Sequence, residues 1–439
     1  MQKGVMRVLL YLFFVTLPVW FTTWFGAKAE GILHDVAINF ALVGFMMLTF
    51  QFLLAARVKW IERTFGLDML IRYHKYVAVA AAGFLILHPI LLALSHGSLT
   101  LLIGSNLPWY IWVGKAALIL VIANVLISIY QSRMGLKFEK WRMIHDLLAP
   151  TILVLIFVHP WFAGDDLEHF PIQALWIIMS LMAGWMFIYH RFLRPKQLAG
   201  HPYRVTEVQQ EAGNVWTVKL APSAGQHIAD YLPGQFHFLT FYREPGLPVE
   251  EHHWTISSSP AQKDYISSTI KAVGDFTKTI PETRPGDTAT VHGSFGRFSH
   301  VLHPHERNLV FLAGGIGITP LMSMLRHMRD TDDGRSVLLL YGNRTEKDIV
   351  FRDELEAIET GKRPDLTVVH VLSGAGKDWA GETGHVDRER IEKYCGIDLS
   401  KRIFYVCGPQ KMAEALIKSL LEMGVLKSRI RQEIFSFLN

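Results

Sequence analysis

The chain has 439 residues, half of them hydrophobic and 19% charged, with a formal net charge of +5. That length suits two or three domains, and two cysteines, Cys395 and Cys407, argue against a disulfide scaffold and fit a reducing compartment. No basic patch interleaved with aromatics points to nucleic acid, and much of the positive excess lies in short loops between apolar runs, where membrane topology explains it.

Six apolar segments, at about 8–25, 33–56, 74–95, 108–130, 144–163 and 171–192, are long enough to cross a bilayer. The first has no A-x-A-like cleavage site after it and is expected to be retained. Basic residues gather on one side: Lys3 and Arg7, then Arg57, Lys59, Arg63, Arg72 and Lys75, then Arg133, Lys137, Lys140 and Arg142, then Arg191, Arg194 and Lys196. The opposite loops are uncharged between His96 and Pro108, apart from His96 itself, and acidic at Asp165, Asp166 and Glu168. The positive-inside rule therefore predicts a multi-pass protein of the plasma (inner) membrane with both termini cytoplasmic.

Spans three and five each carry two histidines fourteen positions apart, His74 and His88, and His145 and His159. Fourteen helical residues rise roughly 21 Å and turn roughly 1400°, close to four full turns. Both imidazoles of a span thus share one face, near opposite sides of the apolar core. A lone histidine in an apolar helix is more often a core residue, but the repeated spacing sets a stronger expectation. It predicts two stacked bis-histidine sites for haem b: His74 with His145 on the inner side, His88 with His159 on the outer. Arg72, Lys75 and Arg142 flank the inner pair as candidates for haem propionates, or simply as the positive-inside signal. Phe84 lies between the two levels and reads by default as a core aromatic. His34, His96, His169 and His190 sit at span ends, where an interfacial histidine needs no special explanation.

After Pro195 the pattern changes to short alternating strands with glycine turns: 203–206, 215–220, 233–236, 252–258, 270–277 and 291–296. Such a run predicts a small antiparallel barrel. From about 306 strands and helices alternate. Strand 308–313 enters Gly314-Gly315-Ile316-Gly317-Ile318-Thr319-Pro320 and then an amphipathic helix, 321–329, which offers a pyrophosphate small residues and free N–H groups. Strands at 337–341, 366–372 and 403–406 follow, the last ending in Cys407-Gly408-Pro409. This is the pattern of a doubly wound parallel domain. Arg344 follows the 337–341 strand, where a guanidinium suits a 2′-phosphate, so NADPH is favoured with NADH the alternative.

In this order the second-half motifs resemble the flavin and nucleotide domains of the ferredoxin–NADP reductase superfamily. With the four-histidine half, nearly the whole chain resembles the ferric reductase and NADPH oxidase superfamily in its compact bacterial form. The resemblance implies a multidomain fold: a six-helix transmembrane di-haem bundle over 1–195, an antiparallel β-barrel FAD domain over 199–303, and an α/β doubly wound NAD(P)-binding domain over 304–439. It implies that Trp254 stacks on the isoalloxazine, Thr255 bonds flavin N5 and His252 contacts phosphate. His253 and Trp254 depart from the His-Pro-Phe-Thr usual in the oxidases. Gln235 and Phe236 match the strand lining the flavin, and Gly274 and Thr277 the segment cradling its pyrophosphate. Phe437, with Phe435 the competitor, matches the terminal aromatic that covers the flavin. Gly314, Gly315, Gly317, Thr319 and Pro320 match the nicotinamide nucleotide loop, and Cys407, Gly408 and Pro409 the segment facing the nicotinamide.

The function so implied is a transmembrane reductase. Electrons pass from cytoplasmic NADPH through FAD and two haem b groups to an outer acceptor, either dioxygen or a ferric chelate. No side-chain acid, base or nucleophile is required beyond the cofactors, and a protein partner is not required. Many oxidases of the superfamily have a histidine one turn after the outer ligand on span three; Leu92 stands there in this chain, which weakens that oxygen site. The alternative is an electron-relay membrane subunit that reduces a partner protein or quinone.

Overall fold

The computed structural model describes residues 2–25 and 30–433 and separates into two compact units, Met1–Pro195 and Lys196–Asn439. The first is helical: α1 (Gln2–Phe25), α2 (Ile32–Ala55), α3 (Lys59–Phe65), α4 (Leu67–Ser95), α5 (Thr100–Ile103), α6 (Trp109–Tyr130), α7 (Phe138–Ala163), α8 (Phe170–Ile188) and, after a π-helical turn at Tyr189–Leu193, α9 (Arg194–Ala199). Six of these segments are long and apolar enough to cross a membrane. They are apolar all round, as helices bathed in lipid must be. Buried residues from five of them, among them Phe45 and Met46 of α2, Ala81 of α4, Val121 of α6, Ile156 of α7 and Trp176 of α8, share one core, with Val15 of α1 joining it.

Three spans start earlier than the sequence expectation, α1 at Gln2 among them. α4 begins at Leu67 and α7 at Phe138, well before their apolar runs. Apolar residues mark where a helix crosses the bilayer, but its hydrogen bonding continues through polar turns, here with Asp68 and Glu139 in the first turn where the helix dipole favours them. His74 and His145 are thus two turns inside their helices. α4 packs against α2 and α7 against α6, whereas α4 and α7 themselves hardly approach. The two histidine-bearing helices face each other across a gap.

The second unit starts with β1 (Tyr203–Ala212), β2 (Val215–Pro222), β3 (Phe236–Tyr242), β4 (Glu251–Thr255), β5 (Ile266–Lys271) and β6 (Thr288–Phe295). They form an antiparallel sheet in the order β4-β3-β6-β1-β2-β5, and a bridge between Ile256 and Ser268 joins its two edges into a barrel. Leu220, Leu239, Phe241 and Ile280 fill the interior. The 270–277 segment is strand only to Lys271. Beyond it the Thr277 hydroxyl accepts from the Gly274 and Val273 N–H groups, which turns the chain out of the sheet.

The rest alternates: β7 (Asn308–Gly314), α10 (Ile318–Asp330), β8 (Ser336–Asn343), α11 (Arg352–Gly361), β9 (Asp365–Leu372), β10 (Glu382–Thr383), α12 (Arg388–Cys395), β11 (Ile403–Cys407), α13 (Gln410–Glu422) and β12 (Ile430–Glu433). The sheet is parallel, in the order β10-β9-β8-β7-β11-β12. Its order reverses between β7 and β11, the switch point where open α/β sheets bind ligands. The barrel is fastened to this layer by α10. Ser323 donates to the Ser258 carbonyl at 2.7 Å, and Arg326 donates to Ser257 at 2.7 Å while paired with Glu354 at 2.6 Å.

Candidate functional site

The helix bundle brings its four histidines together as two pairs. The His74 and His145 ring centres are 6.2 Å apart, with planes inclined at 67°. Two imidazoles bonded to opposite sides of one metal at roughly 2.0 Å have ring centres roughly 6.3 Å apart. At the other end, His88 and His159 are close enough to interact electrostatically.

Three of the four rings are locked in one tautomer. His88 Nδ1 is 2.9 Å from the Ala37 carbonyl, His159 Nδ1 is 2.8 Å from the Tyr110 carbonyl, and His145 Nδ1 is 3.0 Å from the Asn124 amide oxygen. These oxygens only accept, so each Nδ1 carries the hydrogen and each Nε2 keeps a free lone pair, the state a metal ligand needs. His74 lies beside the Gln51 backbone, but its Nδ1 makes no well-formed hydrogen bond; both Gln51 amide atoms are likewise buried without a partner. Two imidazoles facing each other at 6.2 Å across a gap between helices are groups that would hold a haem between them. The donor set fits as well, since bis-histidine ligation is a standard haem arrangement.

Several supporting groups were not foreseen. Trp141 stacks on His145 at 5.5 Å and 27°, held by a 3.2 Å bond from its indole N–H to Ser128. Gly114 lies against His159: a Cβ there would fall 2.7 Å from the ring. Asn124 is a lone amide in an apolar span, a signal the sequence did offer; nothing in the sequence marked Gly114. Among the proposed propionate partners, Arg142 reaches Asp146 at 4.0 Å, while Arg72 and Lys75 are exposed. Phe84 packs edge-on against Phe40 at 5.0 Å, as a core aromatic does.

In the barrel, β3 and β4 pair Phe236 with Thr255 and Phe238 with His253. The alternation of β4 puts His252 and Trp254 on one face, where both meet Phe276, at 4.2 and 5.9 Å. Gly274 and Thr277 flank Phe276 in sequence, so the expected flavin-stacking and pyrophosphate residues share one rim. His252 Nε2 is 2.9 Å from Glu250, a carboxylate where phosphate contact was expected. Gln235 is structural at both ends, accepting from Leu232 N–H at 2.8 Å and donating to the Gly296 carbonyl at 2.8 Å. Thr255 is buried. Phe437 and Phe435 lie outside the described residues.

The nucleotide residues converge at the switch point. A Cβ on Gly317 would fall 2.3 Å from the Cys407 carbonyl oxygen, and one on Gly408 3.1 Å from Gly314, so only glycine allows the β7–α10 turn to approach the end of β11. Thr319 and Pro320 are buried in the first turn of α10, and Pro409 precedes α13. Arg344 is exposed just beyond β8, on the same edge of the sheet. Burial pushes the Cys407 thiol well above its usual range, with Glu433 adding to the effect. Cys407 is therefore a small neutral neighbour of the site, not a thiolate.

Residues 40–156 match the ferric reductase like transmembrane component and residues 311–418 the oxidoreductase NAD-binding domain. The glycine betaine monooxygenase reductase subunit of Pseudomonas aeruginosa is 34% identical over 242 residues, 54% of this chain and 64% of that one. The nitrate reductase [NADPH] of Emericella nidulans is 32% identical over 163 residues, 34% of this chain and 19% of that one. This chain therefore spans somewhat under two thirds of the first relative and a fifth of the second. The cytochrome b5 reductase domain of Ulva prolifera nitrate reductase superposes with a TM-score of 0.47 at 19% identity, covering 53% of this chain and 96% of that one.

Proposed function

We propose that this chain, whose two halves place it in the ferric reductase and NADPH oxidase-like superfamily, carries electrons across a membrane from NADPH to an acceptor on the far side. It is a multi-pass membrane oxidoreductase dependent on FAD and NAD(P)H. In our reading 1–195 is the di-haem bundle, 199–303 the FAD barrel and 304–439 the nucleotide domain, with the last two cytoplasmic on the grounds of loop charge. When bound, FAD supplies the exchange between a hydride and single electrons, and haem b supplies one-electron chemistry.

The protein's own residues do the rest. Gly314, Gly315, Gly317, Thr319, Pro320, Cys407, Gly408 and Pro409 seat the nucleotide, and Arg344 selects NADPH through its 2′-phosphate. Gln235, Phe236, His252, His253, Trp254, Thr255, Gly274 and Thr277 shape the flavin rim, with Phe437 the expected cover. His74 and His145 ligate the inner haem, His88 and His159 the outer. The observation that carries this reading is the carbonyl-locked tautomer at His88, His145 and His159.

Rapid anaerobic mixing of the purified holoprotein with NADPH tests it. We expect flavin bleaching followed by the absorbance of reduced b-type haem. Flavin reduction with no haem reduction would contradict the ladder. The terminal acceptor, dioxygen or a ferric chelate, is tested by NADPH oxidation with each as sole acceptor. Superoxide dismutase sensitivity is expected only if dioxygen is the acceptor.

A further inference from the structure

Beside the His88/His159 pair lies a cation with no counter-charge. Of Asp, Glu, Lys and Arg, α6 carries only Lys115. It lies about two turns from the start of the helix. The loop leading into that end holds no Lys or Arg, so the positive-inside rule does not account for it. Its neighbours tie it to the pair. Gly114, the residue before it, backs onto the His159 ring, and Tyr110, in the first turn of α6, holds His159 Nδ1 through its carbonyl at 2.8 Å. The Lys115 ammonium donates to the Leu102 carbonyl at 2.9 Å and lies 4.6 Å from the centre of the Trp112 ring. Leu102 belongs to α5, which follows α4 and packs against it. Because α6 packs against both α7 and α4, it walls one side of the gap between His159 and His88. Lys115 reaches along that wall from the His159 side to the α4 side.

An ammonium has three N–H donors. The Leu102 carbonyl takes one, and the indole face offers no full negative charge. Among the described residues no carboxylate pairs with Lys115. A charge within an apolar span is costly, and where one occurs it marks a functional site and calls for a partner. The carbonyl positions this ammonium without neutralising it. A haem between His88 and His159 would bring its two propionate carboxylates into this end of the bundle. Arg72, Lys75 and Arg142 flank His74 and His145 in sequence and so belong to the other pair.

We propose that Lys115 pairs with a propionate of the haem at His88/His159 and raises the midpoint potential of that haem. This rests on the electron-ladder reading and adds to it a residue that biases the direction of flow. A positive charge beside the ring favours the ferrous state, which holds one electron more, and within the bundle that charge is screened less than at a surface. The haem at His88/His159 is thereby made the better electron acceptor of the two. Lys115 acts through the propionate and not on the iron or its ligands, so it is a positioning residue.

The test is a redox titration of the purified full chain, followed by b-type absorbance, with haem counted per polypeptide. Lys115→Met removes the charge and Lys115→Arg keeps it. Each is made in two backgrounds: His74→Leu, which leaves the His88/His159 haem, and His159→Leu, which leaves the other. We expect Lys115→Met to lower the midpoint potential in the first background and not in the second, with Lys115→Arg close to the parent in both. Lys115→Gln, uncharged but still a donor, should show the same lowering should Lys115→Met fail to fold. Loss of the His88/His159 haem in the Met and Gln variants but not in Lys115→Arg would be the same result read as occupancy. An unmoved potential in the first background, an equal shift in both, or equal effects of Met, Gln and Arg would overturn the proposal. Failure of the ladder itself would show separately, as a wild-type protein with no b-type signal.

Discussion

The two ends of the helix bundle solve one problem by different means. At the His88/His159 end, outer in the proposed orientation, both Nδ1 atoms bond to backbone carbonyls, Ala37 and Tyr110, and Gly114 presses its backbone against the His159 ring. At the inner end His145 relies on an amide side chain, Asn124, and an aromatic, Trp141, while His74 Nδ1 lies beside the Gln51 backbone without a well-formed hydrogen bond. Backbone acceptors cannot be removed by a side-chain substitution, whereas side-chain acceptors can. The outer site is accordingly fixed by the fold, and the inner site is adjustable by sequence.

The sharpest way to break that contrast is Gly114→Ala. The new Cβ falls where the His159 ring lies, so we expect loss of the outer haem almost as complete as in His159→Leu, read as haem content per chain. Retention of both haems would contradict the close-packed view of that end. Asn124→Leu removes the acceptor that locks His145. It should weaken haem binding at the inner site roughly 10–100-fold and shift the midpoint potential of one haem only. A shift in both would show that the ends are not independent.

Two smaller effects concern the soluble unit. Arg344→Gln should raise KM for NADPH roughly tenfold, the loss of one charge-assisted contact, and leave NADH unaffected; an equal change for both would remove Arg344 from the 2′-phosphate. His237 is fully buried with its Nε2 2.7 Å from Ser268, and burial pushes its pKa down to about 3. Unfolded, it titrates near 6.5, so the unfolded chain binds the extra proton between those values. Stability contributed by the neutral ring is therefore full above about pH 6.5 and declines as pH falls toward about 3, by at most about 1.4 kcal/mol per pH unit. Flavin-release temperatures measured from pH 7 to 5 should fall less steeply in His237→Gln; equal slopes would clear His237 of the effect.

What the sequence revealed and concealed follows from periodicity. A fourteen-residue spacing in an apolar helix fixes which face a histidine occupies, so the pairing of His74 with His145 was legible from α4 and α7 alone. The strand–glycine–helix order likewise announced the nucleotide turn at Gly314–Gly317, because only glycine fits so close to Cys407. Contacts between non-adjacent helices were not legible. Gly114 against His159, and His34 beside His96, depend on how α2, α4, α6 and α7 pack, and no local pattern encodes that. His34 and His96 read singly as interfacial residues, and only the antiparallel packing of α2 on α4 makes them neighbours. The Glu250 partner of His252 is a similar case.

The proposed ladder has one haem b held by each histidine pair. It is tested most directly by the reduced-minus-oxidised spectrum of the purified full chain, with haem and flavin counted per polypeptide, in wild type, His74→Leu and His159→Leu. We expect two haem b and one FAD in wild type, and one haem b in each variant, with different residual midpoint potentials. A wild-type protein with flavin but no b-type signal, or variants that both retain two haems, would contradict the account.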